Sequence, residues 1–343
     1  MAAEEQSTAP GRRCANPDCN VATDGRCVEG FADIDTCPQF GKVPSAQSDA
    51  RPSEIEQSRP GVPLSPSKTL ALSDAEAVLR NRTARTIAIV GPHDAGKTSL
   101  IAGLYDLFQE GPVQEFAFSR SLTLQSFEQA CHDSRAASRN HVPHMERTQR
   151  GEVRFYHLDL IDHATEVRAA LLLGDRAGEE YFETLDDPDT AASFPELRRS
   201  DTVTVLVDGD KLLHLGMRHN VKSDVRMTLQ AFIDAGAVNP WQRLALVLTK
   251  LDKVRSSAEF SPRAFADFES IFQIACSLFG RHFASVEAFQ VAASPQSDTA
   301  KRGEGLAELL KYWMATAPRY QPKQAPKVVA NPSRAFGRLQ AAT

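Results

Sequence analysis

Apolar positions change their period along the chain, and the changes mark the elements. Residues 86–90, Thr-Ile-Ala-Ile-Val, form a short β-rich run that reads as a buried strand. From Thr98 onward, Leu100, Ile101, Leu104, Leu107 and Phe108 recur at helical spacing until Gly111 closes the segment. Residues 153–161 and 167–173 flank the polar turn Asp162-His163-Ala164-Thr165, which predicts an antiparallel hairpin. Residues 202–207 and 244–248 are unbroken apolar runs, the pattern of central strands covered on both faces, and 285–292 carries the last strand. Helical patterns lie between them at about 222–236, 262–279 and 303–316, with a further helix at about 125–138. Upstream, Ser73-Asp74-Ala75-Glu76 has the spacing of a capping box opening a helix through about Arg82. Strand and helix in alternation predict an α/β three-layer sandwich with a mostly parallel sheet, over residues 73–316.

The chain changes character on either side of that stretch. Residues 11–40 hold Cys14, Cys19, Cys27 and Cys37 but few large apolar side chains, too few to fold without a staple. Four thiolates suffice for a closed tetrahedral Zn²⁺ site, which makes structural zinc the expectation for this small module. The spacing C-x4-C-x7-C-x9-C lacks a C-x-x-C knuckle, so disulfides and unliganded thiols stay open beside it. Residues 41–72, with prolines at 44, 52, 60, 63 and 66, read as a disordered linker. Residues 317–343 carry Arg319, Lys323, Lys327, Arg334 and Arg338 with no acid, and read as a basic disordered tail.

With 42% hydrophobic residues the chain can fill a sizeable core, which excludes wholesale disorder. Its 39 basic residues are outnumbered by 44 acids, an overall charge of -5 that argues against coating nucleic acid or an anionic membrane. No apolar run reaches about 18 residues, and the opening Met1-Ala-Ala-Glu-Glu-Gln is acidic where a leader would be basic and then apolar. A soluble, cytoplasmic protein is expected.

The chemistry concentrates where strands end. Gly91-Pro92-His93-Asp94-Ala95-Gly96-Lys97-Thr98 matches G-x-x-x-x-G-K-[ST], with a strand before it and an amphipathic helix after it. In that pattern glycines let the backbone curl around phosphate oxygens, so Gly91, Asp94, Ala95, Gly96, Lys97, Thr98 and Ser99 are the candidate phosphate binders. Lys97, placed at an exposed helix start, would reach the β- and γ-phosphates, and the Thr98 hydroxyl would ligate Mg²⁺. After the 244–248 strand stands Thr249-Lys250-Leu251-Asp252, which resembles the [NT]-K-x-D guanine-reading motif. A carboxylate at Asp252 can accept from guanine N1–H and the N2 amine, a donor pair adenine lacks, while the stem of Lys250 lies over the purine. Asp175 ends an apolar strand in Asp175-Arg176-Ala177-Gly178, where a carboxylate can hold Mg²⁺ through water and Gly178 can offer its amide to a γ-phosphate. Val291-Ala292-Ala293-Ser294 follows the final strand, with Ala293 as the candidate backbone contact to guanine O6. His93, His141, His144 and His163 read as surface residues, and Asp208-Gly209-Asp210 as a turn rather than a metal site.

In this order the motifs resemble the translation-factor-like (TRAFAC) class of P-loop GTPases, over about residues 83–316. More narrowly, Phe118-Ser-Arg-Ser-Leu-Thr123, Arg147-Thr148 and the cysteine cluster resemble the bacterial double-GTPase family. The resemblance implies GTP and GDP as ligands with Mg²⁺, and a protein partner met through the switch regions, the N-terminal module or the basic tail. It also implies a role in bacterial signalling or conflict systems. Gly178, Glu179 and Thr148 become the catalytic candidates, with Thr148 also a Mg²⁺ ligand beside Thr98 and Asp175; Thr123 competes with Thr148 for the first switch. The chain departs from the small-GTPase pattern at Glu179, which stands where a glutamine orients water. An acid there opposes efficient hydrolysis, leaving open a slow switch, a non-hydrolysing GTP-binding scaffold and, disfavoured by Asp252, an ATPase.

Overall fold

The computed structural model describes residues 14, 19, 21, 27, 31, 33–38, 40–41, 68–134, 150–187 and 189–315. The chain divides into two units, Met1–Pro63 and Leu64–Thr343. Most of the linker expected at 41–72, the basic tail and Thr148 lie outside the described residues.

In the first unit, Cys14 pairs with Phe40 in an isolated antiparallel bridge. A single turn of 3-10 helix, Ile34–Thr36, opens on the Asp33 carboxylate, which accepts the Asp35 amide. Of the four cysteines expected to staple this module, Cys37 is buried and Cys14, Cys19 and Cys27 are half-buried. Among the described residues no group of three or more His, Cys, Asp or Glu side chains is gathered to hold a metal, so the zinc expectation gains no support from them.

The second unit opens with α1 (Leu72–Asn81) and runs β1 (Ala84–Val90), α2 (Lys97–Glu110), β2 (Phe116–Arg120), α3 (Leu124–Ser134), β3 (Arg154–Asp162) and β4 (Arg168–Asp175). Three short helices follow, α4 (Gly178–Glu183), α5 (Asp189–Ala192) and α6 (Pro195–Arg199). Then come β5 (Thr202–Asp208), α7 (Gly209–Leu213), α8 (Arg218–Asp234), β6 (Arg243–Thr249), α9 (Leu251–Ser256), α10 (Ser261–Ile274), β7 (Ser285–Gln290) and α11 (Leu306–Met314).

The seven strands form one sheet in the order β2-β3-β4-β1-β5-β6-β7, with β2–β3 and β3–β4 antiparallel and the rest parallel. The hairpin turn forms as expected: Asp162 Oδ1 accepts the amides of Ala164 and Thr165, and Glu166 takes φ 55°. β5 and β6 are buried at every position, which is why their sequences show no alternation. One face packs Leu100, Leu104, Phe127, Leu309 and Trp313 from α2, α3 and α11; the other packs Leu229 and Phe232 of α8 and Phe268 of α10.

Three features differ from the sequence expectations. The capping box does not form: α1 starts at Leu72 with Ala71 as a cap that makes no side-chain bond. Leu70 is held by Phe155 in a two-way backbone bridge, which starts the helix early, and Glu76 turns to Arg80 and Arg199. β2 is an additional edge strand that the hydrophobic pattern did not mark. α4, α5 and α6 are four to six residues long, too short for a helical period to declare itself.

Candidate nucleotide-binding site

The parallel register brings the carboxyl ends of β1, β4, β5 and β6 to one edge, with Ile89 opposite Asp175 and Asp208 opposite Thr249. Ligand crevices of open α/β sheets lie at this edge. Asp94 at φ 64° and Gly96 at φ 90° turn the chain between β1 and α2 through left-handed conformations, and Ala95 is buried beneath the loop. The turn leads into the first residues of α2, Lys97, Thr98 and Ser99, and the amides of a helix's first turn are not used by the helix itself.

Lys97 is not at an exposed helix start. It is only 7% exposed, and Nζ donates to the carbonyls of Gly91 at 2.9 Å and Pro92 at 3.0 Å. The first turn of α2 tucks under the loop that precedes it, so a four-carbon stem reaches back only by running inside the loop. Burial pushes the Lys97 pKa below its ordinary value, against the opposing pull of Asp175, Glu179 and Asp94. Those three carboxylates are the charges that act on the ammonium, and Asp94 among them is exposed and also pairs with Lys250. His93 is exposed, as expected.

Gly178 closes this volume from the other side. A Cβ built there would lie 2.6 Å from the Gly91 carbonyl oxygen, the Pro92 carbonyl carbon and the His93 amide nitrogen, so no larger residue fits. Asp175, at the end of β4, is buried, and Glu179 is half-buried at the start of α4.

The second pocket wall comes from β6 and β7. Lys250 sits at φ 55° and turns Asp252 inward, where it is 4% exposed. Asp252 Oδ2 accepts the Gln296 amide at 2.9 Å, and the Leu251 amide donates to the Val291 carbonyl, so the loop carrying Ala293 is tied directly to this motif. Lys250 Nζ donates to Asp208 at 3.0 Å and to Asp94 at 3.3 Å, linking the guanine motif to the tip of the phosphate loop. Burial disfavours the ammonium, but Asp208 and then Asp94 outweigh it and hold the Lys250 pKa above its ordinary value. The structure thus brings Gly91, Asp94, Ala95, Gly96, Lys97, Thr98, Ser99, Asp175, Gly178, Glu179, Thr249, Lys250, Asp252 and Ala293 to one edge of the sheet.

The family model Double-GTPase 2 matches residues 85–314, two-thirds of the chain and all of this edge. The chain belongs to the Double-GTPase 2 family. Among solved structures, this family member is similar to a signal recognition particle receptor, described as an SRb-GTP/SRX complex, from Chaetomium thermophilum. The identity is 14% and the TM-score 0.37, over 68% of this chain and 96% of that one. A bacterial selenocysteine-specific elongation factor, EF-Sec, matches at 13% identity and TM-score 0.31, over 67% of this chain and 28% of that one. No curated protein matches the sequence significantly.

Two further residues of this double-GTPase relative's site were not legible as functional. Asp208 is 1% exposed: its Oδ1 caps α7 through the Asp210 and Lys211 amides and its Oδ2 takes Lys250, so the expected turn is also a support for the guanine motif. Gln296 acts through its backbone amide, which leaves no side-chain signal. Thr123, the other first-switch candidate, is buried, and its hydroxyl accepts the His157 amide at 3.0 Å at the sheet edge.

Proposed function

We propose that the chain binds GTP and GDP with Mg²⁺ and works as a slowly hydrolysing molecular switch. The observation that carries this reading is Asp252, a buried carboxylate held by the β7 loop and linked through Lys250 to the phosphate loop. Its acceptor pair matches the adjacent guanine N1–H and N2 donors, a donor pair that adenine lacks. Thr98 and Asp175 fit a Mg²⁺ ion: both offer hard oxygen, and this ion takes one or two protein ligands and completes its shell with phosphate and water. Such a site needs no cluster of three acidic or cysteine side chains. When bound, Mg²⁺ would neutralise phosphate charge as it develops.

The chain's own residues do the rest. Lys97, already desolvated, exchanges two carbonyl partners for phosphate oxygens, and the Gly178 amide faces the γ-phosphate position. Glu179 stands beside Gly178 as an acid, and negative charge there opposes a transition state that is itself anionic. Arg176 does not relieve it, since its guanidinium is committed to Glu180 and Glu196. Slow turnover follows unless a partner brings a cation. That partner belongs to a bacterial signalling or conflict system, the setting that the family resemblance implies. No helix among the described residues is long and apolar enough to cross a membrane.

Single-turnover hydrolysis of GTP tests the reading. Slow phosphate release by the purified chain is the expected result. Tight GTP binding with no release, alone and with partners, would make the protein a non-hydrolysing scaffold instead.

A further inference from the structure

One buried ion cluster joins an inner position of the Asp175–Gly178 motif to a carboxylate outside every nucleotide motif. Arg176 is 5% exposed and sits between Asp175 and Gly178. Its Nε donates to Glu196 Oε1 at 2.5 Å and its Nη2 to Glu196 Oε2 at 3.2 Å, a bidentate pair, while Nη1 donates to Glu180. The guanidinium also lies 4.2 Å over the Phe194 ring, and the Tyr181 hydroxyl donates to Glu196 Oε1 at 3.2 Å. Glu196 itself is 1% exposed on α6, an element with no part in the phosphate or guanine motifs. The remaining oxygen of Glu180 accepts the Gly151 amide at 2.7 Å, the point where the chain enters β3 from the first-switch side.

A buried bidentate arginine–carboxylate pair fixes both position and orientation. Here it fixes the three-residue path from Asp175 to Gly178, at the point where Gly178 approaches the loop too closely for any side chain. Resting on the reading above, we infer that Arg176 and Glu196 are positioning residues that set the preference for triphosphate over diphosphate. They hold the Gly178 amide against the γ-phosphate position, and through Glu180 they tie that amide to Gly151. Neither residue touches the nucleotide. The diphosphate, which ends short of Gly178, is indifferent to the clamp.

The test uses the full chain with Mg²⁺ and compares affinity for fluorescent GDP with affinity for a non-hydrolysable GTP analogue. In Glu196→Gln and Arg176→Lys, GDP affinity stays at the wild-type value, which also reports an intact fold. Analogue affinity falls by about tenfold or more, the weight of one hydrogen bond to a charged group. Phe194→Leu, which removes only the ring stacked on the guanidinium, repeats the comparison should Glu196→Gln not fold. An unchanged GTP-to-GDP ratio in folded variants, or an equal fall in both affinities, would show that the cluster only stabilises the domain and would overturn the inference. A wild-type chain that binds neither nucleotide would overturn the guanine-nucleotide reading, and the inference with it.

Discussion

Replacing Lys97 with methionine separates phosphate binding from folding, and the structure gives the direction of each effect. In the nucleotide-free chain the ammonium is nine-tenths buried, and burial lowers its pKa. A lysine whose folded pKa lies below the unfolded value of 10.5 binds its proton more weakly when folded. Its charge therefore opposes folding at neutral pH, and that opposition fades as pH rises through the folded pKa toward 10.5. Two carbonyl hydrogen bonds offset part of this cost. Methionine keeps the apolar stem and removes the buried charge, so the nucleotide-free unfolding midpoint holds or rises. Nucleotide binding behaves in the opposite way. Removing one partner of a buried charge pair costs about 2–5 kcal/mol, or at least roughly 30-fold in Kd. At GDP concentrations of about 100 times the wild-type Kd, wild type gains about 2.7 kcal/mol, while the variant keeps about 0.8 kcal/mol or less. For a domain of this size that is a thermal shift of roughly 5–10 °C reduced to about 3 °C or less. Differential scanning fluorimetry with and without GDP and Mg²⁺ reads both numbers. A midpoint that falls by several degrees without nucleotide, with the GDP shift intact, would show that Lys97 is structural and refute the reasoning.

Glu179→Gln removes the acid at the water-orienting position, so the basal single-turnover rate rises or at least holds; loss of a brisk wild-type turnover would show Glu179 to be a working catalytic residue. Arg243 is 3% exposed, caps α11 through the Tyr312 and Trp313 carbonyls and lies 4.7 Å over the Tyr312 ring. Arg243→Met leaves those carbonyls unbonded and costs roughly 2 kcal/mol, a fall of about 4–8 °C in the midpoint with GDP affinity unchanged; unaltered stability would remove Arg243 from the account. His157 is fully buried, and burial lowers its pKa below 6.5, helped by Arg120 and opposed by Asp159. As pH falls through about 6.5 the unfolded chain takes up a proton that the folded chain does not, so stability falls. The urea midpoint between about pH 7 and 5 should drop less in His157→Gln than in wild type, and equal slopes would contradict this.

What the sequence disclosed follows from which interactions are local. The strands of the parallel core were legible because burial on both faces leaves uninterrupted apolar runs, and the phosphate loop because its glycines answer to local backbone geometry. Asp252 was readable for the same reason, since Lys250 and Asp252 act within one turn. Interactions set by tertiary contact were not legible. Ser73 and Glu76 have the right spacing for a cap, yet the Leu70–Phe155 bridge and the pull of Arg199 decide otherwise. Lys97 was misplaced at the surface because no local pattern shows that its stem runs inside the loop. Glu196 reaches Arg176 across 20 residues, and nothing in its own five-residue helix marks it.

The central claim is guanine recognition by Asp252, and a displacement assay addresses it most directly. With fluorescent GDP bound to the full chain, unlabelled GTP should displace the probe at concentrations roughly 30- to 100-fold below those needed with ATP, the weight of a charge-assisted pair of hydrogen bonds. In Asp252→Asn, one acceptor becomes a donor, and xanthine nucleotides should overtake guanine nucleotides as competitors. Equal displacement of the probe by ATP and GTP from the wild-type chain would contradict the account.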